Sequence, residues 1–253
     1  MMTLVKAADE IASMRVGGKM LATVLDTLKQ KIAAGMTTKD LATIAKQELR
    51  ALGGQPTILG YGGFPDVICI SVNDAVVHGI PREDVVLKDG DIVGMDFCVS
   101  YQGMITDAAI TVVVGGIESL PDATQRLIKV TEQSLYAGID ACHDGVRVGD
   151  ISVAVEKVLS KGGYGIVRDL VGHGVGHEMH EDPNIPNYGR PGAGPMLRAG
   201  MTIAIEPMAT LGDYKVVTDP DKWTIRTRDG SLAAHFEHTV LITDTGAEIL
   251  TQL

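Results

Sequence analysis

Cysteine is scarce in this chain: Cys69, Cys98 and Cys142 are the only three, an odd number at wide spacing. That excludes a disulfide framework and the paired spacing of a zinc finger, leaving three reduced thiols. No apolar run approaches the roughly 18 residues of a membrane-spanning helix. The N-terminal stretch MMTLVKAADEIASMR lacks both the apolar centre and the small-residue cleavage site of a signal peptide. These absences lead to the expectation of a cytoplasmic protein without membrane contact. Basic residues are in deficit, 22 against 32 acidic, and the net charge of −10 argues against nucleic-acid specificity. Aromatic residues are few, and Trp223, the single tryptophan, lies in the polar stretch DKWTIRTRDGS, where a functional wall is more plausible than core packing.

What is present suffices for a full hydrophobic core. With 45% hydrophobic and 21% charged residues over 253 positions, the chain falls in the ordinary globular range. Apolar positions at helical spacing between residues 5 and 34 predict a long first helix ending at Gly35, with Gly17 and Gly18 weakening its middle. A second helix is predicted from Thr38 to Leu52, because Thr37 and Asp40 form a capping-box pattern and Gly53-Gly54 supplies the stop. Short β-rich runs from Val67 to Val114 predict a mainly antiparallel sheet. Helices return at Asp122 to Cys142 and Asp150 to Leu159, followed by more strands.

The order helix, helix, strands is thus given twice. Sliding the sequence by 110 residues aligns GMTTKDLATIA at Gly35 with GVRVGDISVAV at Gly145, and LKDGDIVGMD at Leu87 with LRAGMTIAIE at Leu197. Two separated matches at one offset predict an internal duplication: one catalytic domain spanning 1–253, made of halves at about 1–115 and 116–253. Asp96 and Glu206 then occupy equivalent positions near a pseudo-twofold axis.

The chemistry concentrates in four acids and a histidine-rich loop. DFCVSYQGMITDAAIT reads as a β-hairpin with its midpoint between Tyr101 and Gln102, which sets Asp96 opposite Asp107. Carboxylates facing each other at about 5 Å repel unless a cation lies between them. Glu206 in AIEPMA and Glu237 in AAHFEHTVLIT also fall in apolar strands, and few basic residues are nearby to neutralise them. Divalent cations answer that excess, as in dinuclear hydrolases. LVGHGVGHEMHEDPNIPNYG supplies His173, His177 and His180. HEMH is not the helical zinc signature, and strand alternation puts His173 and His177 on one face and His180 on the other. Spacing alone does not select the ligand, and His78 in AVVHGIP is a fourth candidate.

Taken together, YGGFPDVICISVNDAVVHGIP, DGDIVGMDF, GHGVGHEMHEDPNIP, MTIAIEPM and HFEHTVLIT resemble type I methionine aminopeptidases in order and spacing, from about residue 5 to the end. The resemblance implies an α+β pita-bread fold, in which two pseudo-twofold-related α/β halves surround a curved, mainly antiparallel sheet. It implies two divalent ions (Co, Mn, Fe or Zn) on Asp96, Asp107, His173, Glu206 and Glu237, with Asp107 and Glu237 touching both. His78, His180 and Glu206 take the catalytic roles: a hydroxide bridging the metals attacks, Glu206 is the general base, His180 stabilises the oxyanion, and His78 orients the peptide nitrogen. Tyr61, Phe64, Cys69, Met179 and Trp223 match the methionine pocket. The implied substrates are the N-termini of nascent polypeptides, with a small residue after the methionine and transient ribosome contact. A monomer is expected, since no long exposed apolar stripe is apparent.

Three positions depart from the family pattern. Met179 stands where an aromatic residue is frequent, Gly62 where some relatives carry histidine, and His177 where other residue types are usual. Because His177 is outside the implied site, His177→Ala is expected to do little. The competing readings are a proline-specific peptidase of the same fold and a metal-free binding protein. The first motif arriving by residue 60 argues against the former, and the filled ligand positions argue against the latter.

Overall fold

The computed structural model describes residues 4–253; residues 1–3, part of the stretch read above for a leader, lie outside the described residues. Helix α1 (Ala8–Lys31) opens where Glu10 accepts the Ala7 N–H through its carboxylate at 2.7 Å. It is shorter than the predicted span, because Ile32 turns to an extended conformation ahead of the turn at Gly35. Helix α2 (Thr38–Leu52) has the predicted bounds. Thr37 Oγ1 accepts the Asp40 N–H at 3.0 Å, Asp40 returns the contact to the Thr37 N–H at 2.8 Å, and Gly53 closes the helix with φ of 86°. Helices α3 (Asp122–Asp140) and α4 (Val148–Gly162) repeat the pair.

The strands are β1 (Gln55–Pro56), β2 (Cys69–Val72), β3 (Ala75–Val77), β4 (Ile92–Tyr101) and β5 (Met104–Val113). After the second helix pair come β6 (Gly165–Ile166), β7 (Gly172–Gly174), β8 (Glu181–Ile185), β9 (Thr202–Ile205), β10 (Met208–Thr210), β11 (Val216–Thr218), β12 (Ile225–Thr227), β13 (Ala233–His235), β14 (Glu237–Ile242) and β15 (Ala247–Ile249). The main sheet is antiparallel, in the order β1-β4-β5-β14-β9-β7-β8, with β2 also on β4 and β15 on β14.

The 110-residue offset recurs in the backbone hydrogen bonding. Thr37 bridges Val86 as Arg147 bridges Met196, and the Gly35 N–H reaches Leu87 O as the Gly145 N–H reaches Leu197 O. Each helix pair also has its own core. Leu21, Leu25, Leu28, Leu41 and Leu49 pack on Met95, Phe97 and Val99; Leu127, Leu135, Ile151, Val155 and Leu159 pack on Ile203, Ile205 and Val240. The helices thus occupy one side of the sheet and leave the other for the site.

Gly17 and Gly18, which weaken the helical reading of α1, are buried where it crosses the end of β4 and the C-terminal segment. A Cβ at Gly17 would meet Tyr101 Cβ at 3.3 Å, whereas one at Gly18 would overlap the Leu250 carbonyl. Helix propensity alone favours alanine over glycine by about 1 kcal/mol, while forcing atoms into a packed contact costs about 1–3 kcal/mol. Gly18→Ala is therefore expected to lower the thermal midpoint by several degrees and Gly17→Ala to lower it less. A midpoint raised by Gly18→Ala in a thermal melt would contradict this packing.

Candidate active site

Five neighbouring strands carry the five metal-ligand candidates. Asp96 lies on β4, Asp107 on β5, Glu237 at the start of β14, Glu206 immediately after β9, and His173 on β7. Asp96 and Glu237 both pair with Ala109, on its two sides. His238 pairs with Ile205, which brings the next residue, Glu206, alongside Glu237. Asp107, His173 and Glu237 are buried, while Asp96 and Glu206 keep a partly open edge.

The hairpin register corrects the sequence reading. Asp96 pairs with Ala109 and Asp107 with Cys98, so the two aspartates are diagonal neighbours on one face. The cause is the turn, which takes Gln102 and Gly103 at φ of 50° and 82° and puts Tyr101 opposite Met104. The hairpin midpoint is shifted by one residue as a result.

The four carboxylates lack basic partners. Among the described residues no lysine or arginine pairs with any of them; Glu206 has only His173 Nε2 at 3.6 Å and His235 Nε2 at 3.7 Å. Burial first, then the neighbouring carboxylates, holds Asp96, Glu206 and Glu237 well above the usual carboxylate range. Asp107 Oδ1 and Glu237 Oε1 are buried without a hydrogen-bond partner. Single donor atoms from Asp107, His173 and Glu237 lie within 4.8 Å of one another, as do those of Asp96, Cys98 and Asp107. Asp107 is common to both groups. Unpartnered buried oxygens, a nitrogen donor and excess negative charge fit divalent cations.

The histidine loop also departs from strand alternation. His173 and His180 meet edge to face with ring centroids 4.4 Å apart, while His177 points away and bonds Glu10 at 2.7 Å. The chain bends between Val175 and His180, and that bend replaces the assumed straight strand. His180 Nδ1 lies 3.0 Å from the Tyr61 hydroxyl. Burial, with His173 beside it, pulls His180 down to about 4; burial also lowers His78 and takes His235 to about 3. These rings are neutral near pH 7.

The expected pocket residues lie together. Phe64, Cys69 and Met179 form a buried apolar cluster with Ile58 and Cys98, and Trp223 packs edge-on to Phe64 at 5.2 Å and to His78 at 6.4 Å. Tyr61 is more open and forms the rim beside His180. A Cβ at Gly62 would meet the Trp223 ring at 3.1 Å, so a larger residue there would crowd the wall.

Sequence reasoning missed Ile58, Cys98 and His235. The Cys98 thiol donates to Asp107 Oδ2 at 2.9 Å, and strand alternation from Asp96 could have found it. His235 lies two residues before Glu237, but its approach to Glu206 depends on the β10–β13 pairing, for which no local signal exists.

Residues 12–244 match metallopeptidase family M24. The chain is 46% identical over 250 residues to methionine aminopeptidase of Clostridium acetobutylicum, covering 99% of each. It is 44% identical over 252 residues to methionine aminopeptidase 1 of Bacillus subtilis, covering 100% of each. Among solved structures, methionine aminopeptidase from Thermotoga maritima superposes with a TM-score of 0.96 at 45% identity, over 98% of this chain and 99% of that one. Prolidase from Pyrococcus furiosus shares the fold alone, with a TM-score of 0.77 at 22% identity over 99% of this chain and 66% of that one.

Cations that bind only the folded site stabilise it by about 2.7 kcal/mol at a hundredfold excess over Kd. For a chain of this size that corresponds to about 5–10 °C. Adding Mn²⁺ to metal-stripped protein is expected to raise the thermal midpoint by that amount; an unchanged midpoint would contradict the fit.

Proposed function

The chain belongs to metallopeptidase family M24, and from that premise we propose that it is a methionine aminopeptidase that removes the initiator methionine from nascent polypeptides. The observation that carries this reading is the set of four carboxylates and one histidine, its centre at Asp107, His173 and Glu237 buried, beside an apolar pocket. Asp96, Asp107, His173, Glu206 and Glu237 would hold two divalent ions, with Asp107 and Glu237 shared between them. Supporting this are the place of Asp107 in both donor groups and the unpartnered oxygens of Asp107 and Glu237. Mn, Fe, Co and Zn all suit such donors. Bound there, the ions supply Lewis acidity and lower the pKa of a water so that hydroxide is available near neutrality.

The chain's own groups then place the substrate and move protons. Phe64, Cys69, Met179 and Trp223, with Tyr61 at the rim, take the methionine side chain, whose thioether suits an apolar, polarizable surface. Glu206, whose basicity burial raises, takes the proton of the attacking water as a carboxylate and then passes it to the leaving amine. With the Tyr61 hydroxyl donating to His180 Nδ1, Nε2 keeps the imidazole proton and hydrogen-bonds the developing oxyanion through it. His78, neutral and close to Trp223, orients the peptide nitrogen. The crowded rim of Tyr61, His180, His78 and Trp223 favours a small second residue such as Ala, Gly or Ser. Action on nascent chains places the protein in the cytoplasm, as a monomer that contacts the ribosome transiently.

Metal-stripped protein resupplied with Mn²⁺ or Co²⁺ is expected to release methionine from Met-Ala-Ser and to leave a Leu-initiated peptide intact. Release from the Leu peptide at a similar rate, or none from Met-Ala-Ser with either metal, would contradict the assignment. Losing a positioned acid–base group costs about 10²–10⁴-fold in rate, so Glu206→Gln should lower kcat by that factor. A Glu206→Gln protein with near wild-type kcat would remove Glu206 from its role.

A further inference from the structure

His180 is held weakly by its own side-chain contacts: one bond to the half-exposed Tyr61 and an edge-to-face contact with His173. The position of its ring therefore depends on the main chain between Val175 and Glu181. Three backbone bonds brace that segment, from the Val175 N–H to Thr202 O, from the Ile105 N–H to Gly176 O and from the Gly176 N–H to Glu178 O. Thr202 Oγ1 also donates to Val175 O, and the β7–β8 pairing of Gly174 with Glu181 anchors the far end. The bend between these anchors is held by the side chain of Glu181, the residue after His180. Its Oε1 accepts the His177 N–H at 2.6 Å and the Glu178 N–H at 3.0 Å, tying the bend from inside.

Its other oxygen, Oε2, takes the Lys6 ammonium at 2.7 Å, from 175 residues away in sequence. The Lys6 side chain is 0% exposed and that of Glu181 10%, so the pair is almost dry. Lys6 is itself fixed, through its N–H to Gly200 O at 2.8 Å and its Nζ to Leu4 O at 3.3 Å. Gly176, at φ of 150°, lets the lysine stem pass, since a Cβ there would overlap Lys6 Cε. The brace has an outer arm where the His177 ring bonds Glu10 at the start of α1. A buried ion pair gives little stability over an apolar pair of similar shape, and its best-attested use is to fix one geometry among several. Here the fixed object is the segment that carries His180.

We propose that Lys6 and Glu181 are positioning residues for the hydrolysis, an ionic clamp by which the segment preceding α1 fixes His180 over the carboxylate cluster, with Glu10 and His177 as its outer brace. The proposal rests on the function argued above. The outer brace is partly solvated, so His177→Ala, which keeps the His177 N–H bond to Glu181, leaves kcat within about threefold. The clamp itself is not replaceable by an apolar residue.

The test uses full-length protein loaded with Mn²⁺, reading amide exchange of residues 175–181 together with kcat and KM on Met-Ala-Ser. Lys6→Met is expected to speed exchange in that segment and lower kcat, each about tenfold or more. KM should stay within about threefold, because Met179 remains packed with Phe64 and Cys69. Lys6→Arg should restore both readouts. Arg15→Ala, which breaks the exposed ion pair between Arg15 on α1 and Glu248 on β15, should change neither. If Lys6→Met does not fold, Glu181→Gln keeps the shape, removes the charge and is expected to show the same changes in smaller degree. Wild-type exchange in the substituted protein, a loosened segment with unchanged kcat, or no recovery with Lys6→Arg would each overturn the proposal. Should the wild-type protein release no methionine, the functional reading fails separately. The exchange comparison still supports the clamp if the segment loosens and overturns it if the segment does not.

Discussion

Mutual repulsion among carboxylates in a largely buried site is the constraint on which the rest of this structure depends. Asp96, Asp107, Glu206 and Glu237 converge from four adjacent strands with no lysine or arginine pairing with them among the described residues. A folded chain does not collect such groups without something to neutralise them, since desolvating each charge is costly. The antiparallel ladder holds the carboxylates rigidly in place, and the helix pairs packed on its other side keep the ladder from yielding. Structure and chemistry meet in that conflict: a sheet built to hold anions together is a sheet built to receive cations.

The repeated architecture explains how one chain assembles the site. Each half contributes a helix pair, a turn closed by equivalent backbone bonds and a strand that carries a site carboxylate, Asp96 on β4 and Glu206 just after β9. The halves are not equal in what they add. The first gives the β4–β5 hairpin with Asp107 and the Cys98 thiol against it, whereas the second gives the histidine loop and the Glu237 strand. That asymmetry sets neutral imidazoles beside the carboxylates and along the edge of an apolar pocket that includes Cys98.

Much of this was legible in the sequence, for identifiable reasons. Helix α2 had its cap and stop written in Thr37, Asp40 and Gly53, and the 110-residue offset carried the internal symmetry. The four acids stood out because carboxylates are rare in apolar strands. The details that failed are those that depend on local backbone conformation. A one-residue shift of the hairpin turn moved Asp96 from opposite Asp107 to a diagonal position, and the bend at 175–180 exchanged His177 for His180 as the neighbour of His173. Contacts made across long sequence separations, such as Lys6 with Glu181 and His235 with Glu206, left no local trace at all.

The central claim is that the carboxylate cluster holds two cations with Asp107 and Glu237 between them. Anomalous diffraction from a crystal equilibrated with Mn²⁺ tests it most directly. Two peaks about 3.5–4 Å apart, both within bonding reach of Asp107 and Glu237, are the expected result. A single peak, or peaks away from these side chains, would contradict the account.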